Sequence, residues 1–290
     1  MVKHIEVKYP SLLANLFSPS FTQKMIKGTH VPYLTHVLNQ TGFKSLLRSG
    51  LTVKSVLPKI FYYLNDHYRC EYIYKSAILN EVLLKNYTLQ EASYFTEFRS
   101  FNAKADIVIL NGTSIVYEVK SDIDRLDRLI SQTSAYQKIF DKVIITSNKE
   151  NITKIEKIVA PNIGITMLNT DLTVDTFREA KSNLDILDKD LIFDSLRRSE
   201  YLSIIEKAFG QTPKVPGTII HATCKKIFQQ LSNIEAHSYF INTLKQRRIS
   251  RDQINLVNNA HKALKNLLIE KKLSDNDCKL VKLGLEQKIN

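Results

Sequence analysis

Cysteine is scarce in this chain: Cys70, Cys224 and Cys278 are odd in number and far apart. That set supports neither a disulfide framework nor a paired-cysteine zinc site. The seven histidines are scattered too, with no His-Glu-x-x-His spacing of a zinc hydrolase. No apolar run approaches the ~20 residues needed to span a bilayer, and the opening MVKHIEVKYP lacks the apolar stretch of a signal peptide. These absences predict a cytoplasmic protein without a membrane partner. Internal repeats and low-complexity segments are missing as well.

What is present is a chain of 290 residues, 43% apolar and 24% charged, enough for one or two ordinary cores. Its net charge of +12 is unevenly spread. Residues 1–70 carry 9 basic and 2 acidic side chains, net +7; residues 71–200 carry 17 and 20, net −3; residues 201–290 carry 15 and 7, net +8. Basic flanks around an acidic centre suit a grip on phosphates with acids left over for a metal. A basic surface that only keeps the protein in solution gives the same numbers, so the charge supports a nucleic-acid reading without establishing it.

The chain is organised around residues 103–120, AKADIVILNGTSIVYEVK. Ile107 to Leu110 and Ile115 to Val119 are β-branched or aromatic runs either side of Asn111-Gly112, a hairpin of buried strands. Asp106, Glu118 and Lys120 are the charges this hairpin carries, and a buried carboxylate must be paired, hydrogen-bonded, metal-bound or neutral. Alternation places Glu118 and Lys120 on one face. Asp106 joins them if the loop is odd, with Gly112 left-handed, and leaves them if it is a two-residue turn. We take the odd loop, because only that gives the two carboxylates a common metal.

Around this hairpin, residues 1–70 form a basic helical region, with helices over SLLANLF, HVPYLTHVLNQ and SVLPKIFYYLNDHY separated at Ser18, Pro19 and Gly28. A helix is expected over 71–87, a strand over 93–101, and a helix from Ser121 to Phe140 capped by Ser121 and Asp122. KVIITS and GITMLN are strands joined by the helix NITKIEKIVA, a βαβ-like unit. Residues 171–290 read as helical, with an internal break near 210–217 at Gly210, Pro213, Pro216 and Gly217 and about three helices beyond it.

Asp106, the hairpin and then Glu118-Val119-Lys120 resemble the signature of the PD-(D/E)XK nuclease superfamily, with Ala105 where a proline is usual. Gln132 and Tyr136, one helical turn apart on the following helix, resemble the Gln-x-x-x-Tyr element of its RecB-type members. The likeness covers roughly residues 71–170 and is closest to uncharacterised bacterial members. It implies an α/β fold: a restriction-endonuclease-like core, a mixed β-sheet flanked by helices, here with all-helical N- and C-terminal extensions. The implied activity is metal-dependent hydrolysis of phosphodiester bonds, in DNA rather than RNA, in a phage-defence, mobile-element or repair setting.

The same resemblance implies Mg²⁺ or Mn²⁺ held by Asp106, Glu118 and the Val119 carbonyl, ligands that suit a hard cation. Lys120 is then the point charge that positions water or neutralises the transition state. Gln132 and Tyr136 orient substrate or the ligands. Glu81, on the helix before the first strand, is the further acid, and Glu97 a weaker one whose face is undecided. Arg128 and the cluster Lys245, Arg247, Arg248 and Arg251 are nucleic-acid contacts. Two other classes stay open: a catalytically inactive nuclease-fold module that binds nucleic acid, and a protein-interaction scaffold. A protein partner or a homodimer is likewise undecided.

Overall fold

The computed structural model describes residues 7–100 and 103–289. Residues 1–6 of the leading segment and Phe101, the last position of the strand expected over 93–101, lie outside these. Helices α1 (Pro10–Ala14), α2 (Pro19–Ile26), α3 (His30–Thr41) and α4 (Val53–His67) lead to α5 (Glu71–Ala77), which runs on as a π-helix over Ile78–Leu84. Strands β1 (Ser93–Ser100), β2 (Ala103–Asn111) and β3 (Thr113–Lys120) form an antiparallel meander. Helix α6 (Leu129–Gln137) crosses to β4 (Lys142–Ser147), and α7 (Lys149–Ile158) to β5 (Gly164–Leu168), both parallel to β3. Strand β6 (Val174–Arg178) closes the far edge antiparallel to β5, so the six strands follow chain order. Helices α8 (Lys189–Asp194), α9 (Arg198–Phe209), α10 (Ile220–Phe228), α11 (Asn233–Leu244), α12 (Arg251–Asn258), α13 (Lys262–Ile269) and α14 (Asp275–Glu286) follow.

The apolar runs of β2 and β3 are nearly continuous because both faces of the sheet are covered. Ile107, Ile109, Tyr117 and Val119 point into one core, with α1 to α5 and α12 to α14. Their alternates Val108, Leu110 and Val116 point into a second, with α6 to α11. Each such aliphatic side chain, fully buried, contributes about 1.5–3 kcal/mol. The outcome is a mixed α/β protein with one sheet between two helical layers. The N-terminal helices and the last three share one of these layers, with α14 packed on α2 and α4. No helix is long and apolar enough to cross a membrane among the described residues.

Three expectations are corrected. The helix over 121–140 begins only at Leu129, because Asp124 Oδ2 accepts from the Ser121 N–H at 2.9 Å and from its hydroxyl at 2.6 Å. Ser121 and Asp124 thereby close a turn of their own instead of capping a helix, the competition these side chains usually offer. The stretch after 170 is not helical at first but forms β6, whose Val174 pairs with Leu168 at the sheet edge. Beyond the break at Gly210, which ends α9 at φ 82°, five helices stand in place of three.

Candidate functional site

Gly112 sits at φ 72° between the paired residues Asn111 and Thr113, so the hairpin loop is odd. Glycine adopts that left-handed conformation without a Cβ clash. The β2–β3 ladder runs as far as Ile107–Tyr117, and just beyond it Asp106 turns its carboxylate to the Val119 N–H, close enough to Glu118 to feel its charge. On the other side, Thr96–Ile107 and Phe98–Ala105 flank the position where Glu97 meets Asp106. Glu97 and Asp106 are thus neighbours across β1 and β2, with Glu118 of β3 near Asp106. Glu97 breaks the regular ladder with φ 57°, a conformation unusual for a residue with a side chain and one that marks functional sites.

Glu118 is 2% exposed, and both its oxygens are taken by protein donors. Oε1 accepts from Lys120 Nζ at 2.7 Å and from Gln132 Nε2 at 2.6 Å; Oε2 lies 2.9 Å from the Tyr136 hydroxyl. Gln132 Oε1 in turn accepts from Lys120 Nζ at 3.0 Å. The four side chains from β3 and α6 form a closed network in which the buried Glu118 carboxyl is paired and hydrogen-bonded on both oxygens. The Tyr136 hydroxyl also reaches the Lys104 carbonyl at 2.8 Å. Burial, and the Glu118 charge beside it, hold that phenol well above its ordinary range.

Asp106 has a different environment. Its Oδ2 accepts the Val119 N–H at 2.8 Å. Burial raises its carboxyl to about 7, the charges of Glu118 and Glu71 push the same way, and Lys75 and the Val119 amide oppose them. Oxygens of Glu71, Glu97 and Asp106 lie within 4.8 Å of one another, an all-carboxylate set of the kind hard divalent cations take. Among these acids lies Lys75, 3% exposed, with Nζ 2.5 Å from Glu71 and 2.6 Å from Glu97. Lys104 also pairs with Glu97. A further acid, Glu270 at the end of α13, is raised to about 7 by burial, with Lys75 opposing and Glu71 adding to the shift.

Asp106, Glu118, Lys120, Gln132 and Tyr136 are thus brought together, with the Val119 amide holding Asp106. Glu81 is not among them. It stands on the π-helical turn and pairs with Lys85 of its own helix at 3.3 Å, beside Phe61 and Lys262. Glu71, at the start of the same helix, takes the position expected for it. The signal for this was in EYIYKSAIL: Lys75 falls in an otherwise apolar helix stretch, four residues after Glu71. Nothing local marks Glu270.

Of the basic residues, Arg128 is exposed at the N-terminus of α6. Arg247 is not available to a phosphate, because it holds Glu200 through two bonds of 2.7 and 2.6 Å. Arg248 and Arg251 are exposed and Lys245 half-buried.

A family described as bacteriophage P4 protein cII matches residues 65–280, a span that holds every acid and lysine of the site. The chain belongs to this family. One curated relative is protein cII of Enterobacteria phage P4, 23% identical over 183 residues, or 61% of this chain. The match spans 64% of that relative's length. Among solved structures, the SPO1766 protein of unknown function from Silicibacter pomeroyi is 15% identical, with 47% of this chain and 89% of that one covered at a TM-score of 0.32.

Proposed function

We propose that the protein is a divalent-metal-dependent nuclease with a restriction-endonuclease-like core, acting on DNA. The observation that carries this reading is the acid cluster of Glu71, Glu97 and Asp106 with Glu118 near Asp106 and Lys120 held by Glu118 and Gln132. Five carboxyls, of Glu71, Glu97, Asp106, Glu118 and Glu270, face three ammonium groups, of Lys75, Lys104 and Lys120. The donor set fits Mg²⁺ or Mn²⁺, with Glu71, Glu97 and Asp106 as the oxygen ligands this geometry favours and Glu118 and the Val119 carbonyl those the signature implies. Such an ion supplies Lewis acidity to phosphodiester hydrolysis.

The chain's own groups do the rest. Lys120 presents a fixed positive charge at the end of β3, preorganised where charge develops on a phosphate. Gln132 and Tyr136 fix the rotamer of Glu118, and the Val119 amide fixes that of Asp106. Arg128, exposed beside this network, contacts the substrate backbone. The match to a phage protein family supports a mobile-element setting.

Incubation with plasmid, linear duplex and single-stranded DNA and RNA, with Mg²⁺, with Mn²⁺ or with EDTA, tests the reading. Metal-dependent cutting lost in Lys120→Ala is expected; equal cutting by that variant, or none by the wild type, overturns it. One observation favours a second reading, a nucleic-acid-binding module without catalysis: Glu118 already has protein donors on both oxygens, and Lys75 stands among the other acids. On that reading Asp106→Ala keeps full biological effect.

A further inference from the structure

Beside β1 lies a hollow of about 130 Å³, set between that edge strand, the turn after α11 and the end of α13. Its apolar wall includes Phe95, Ile249 and Ile269. Arg248 and Lys272 line it as cations that have no carboxylate partner among the described residues. Arg248 is held in place by its Nε, which donates to the Lys245 carbonyl at 3.1 Å and leaves the rest of the guanidinium free for a ligand. Glu270 also lines the hollow, and its Oε2 is buried without a hydrogen-bond partner. A buried polar atom of that kind normally has one.

The hollow adjoins the acid cluster. Glu270 feels the charges of Lys75 and Glu71. Phe95 lies 6.1 Å from Phe98, whose strand partner Ala105 precedes Asp106.

We propose that this hollow is the subsite for one unpaired nucleotide, its base against Phe95 and its phosphates at Arg248 and Lys272, so that the strand led to the acids is single. The proposal rests on the nuclease reading and names its substrate class. An aromatic wall with flanking cations is the arrangement that holds single strands through stacking and phosphate contacts. One base lies in the hollow against Phe95, with Glu270 Oε2 meeting a hydrogen-bonding edge as in pockets for extruded bases.

The test is metal-free binding of a labelled single strand and of its duplex, measured in EDTA over a range of salt. Tighter binding of the single strand is expected. Arg248→Glu with Lys272→Glu should weaken it at least about tenfold and lower the slope of log K against log salt by about 1.4, the share of two single-strand phosphates. The same charge change at Lys279 and Lys282 of α14 should do less. A 5-iodouracil strand should photo-crosslink to the peptide containing Phe95, a readout that needs no variant to fold. Preference for duplex, an unchanged slope, or a crosslink elsewhere overturns the subsite. Cutting of duplex by the double Glu variant at the wild-type rate sinks the subsite and leaves the nuclease standing. Single-strand binding through the hollow without any cutting sinks the nuclease and leaves the subsite.

Discussion

Glu118 and Asp106 lie near each other on neighbouring strands, yet they are held in opposite ways. Glu118 has a lysine, an amide and a phenol on its two oxygens; Asp106 has one backbone N–H and the charges of other acids around it. The first carboxylate has been neutralised by the fold itself. The second is left in a site that would be stabilised by an added cation. Glu118 is buried and Asp106 half-buried, and what separates the two is the number of donors aimed at each.

The sharpest way to break this contrast is to remove each acid in turn. Glu118→Ala leaves Lys120 buried without its partner and should destabilise the fold by about 3–5 kcal/mol, read as a lower denaturant midpoint. Asp106→Asn removes a repelled charge and should leave the midpoint unchanged or raised, while cleavage is lost. If both variants lose stability equally, the two acids are not held differently.

A pH series sharpens the comparison next. The carboxyls of Asp106 and Glu270 lie near 7 in the fold, above the usual carboxylate range. Between about pH 4 and 7 the folded state then keeps protons that the unfolded chain has released, so stability should fall as pH rises. Each raised group weighs on the order of 3–5 kcal/mol at most. Without metal, the denaturant midpoint should drop from pH 5 to pH 8, and Asp106→Asn should remove only the share of Asp106, because Glu270 remains. A flat profile in the wild type would mean that these acids are ionised throughout. Millimolar Mg²⁺ should restore part of the loss at pH 8.

Lys75 separates the two acids in a third way, since its ammonium lies between Glu71 and Glu97 and not beside Glu118. Replacing it removes a tethered cation from the place a metal would occupy. Lys75→Gln should bind Mn²⁺ about tenfold more tightly, a change of one 1.4 kcal/mol step, followed by water-proton relaxation. Equal or weaker binding would make Lys75 a support of the metal site instead of its competitor.

The hairpin was legible because its information is local: two apolar runs either side of Asn111-Gly112 mark the strands, and a period of two puts Glu118 and Lys120 on one face, whereas the length of the loop was not written in the residues. Gln132 and Tyr136 were singled out by their resemblance to a Gln-x-x-x-Tyr element, and their helix starts eight residues later than the apolar pattern suggested. The rest depends on contacts distant in sequence. Glu97 is turned by a positive φ that alternation does not reveal. Glu270 reaches the site only because α13 packs against α5. Strand β6 escaped notice because VDTFR is short and half exposed, with no apolar run, and is a strand only through its pairing with β5.

Glu81 and Glu71 make the smallest and most specific comparison, since one helical segment carries both. The resemblance pointed to Glu81, but its carboxylate is engaged by Lys85 in an exposed pair four residues apart, worth about 0.3–0.5 kcal/mol. Glu71 has its oxygen within reach of Asp106 and Glu97. Glu81→Gln should therefore move the unfolding midpoint by less than about 0.5 kcal/mol and leave Mn²⁺ affinity unaltered. Glu71→Gln should weaken Mn²⁺ binding about tenfold, one such step, and slow cleavage with it. The two variants remove the same charge from the same segment, so any general effect of net charge acts on both equally. A loss of affinity in Glu81→Gln that matched the loss in Glu71→Gln would assign the effect to the field of the whole helix, and the acid cluster would no longer explain it.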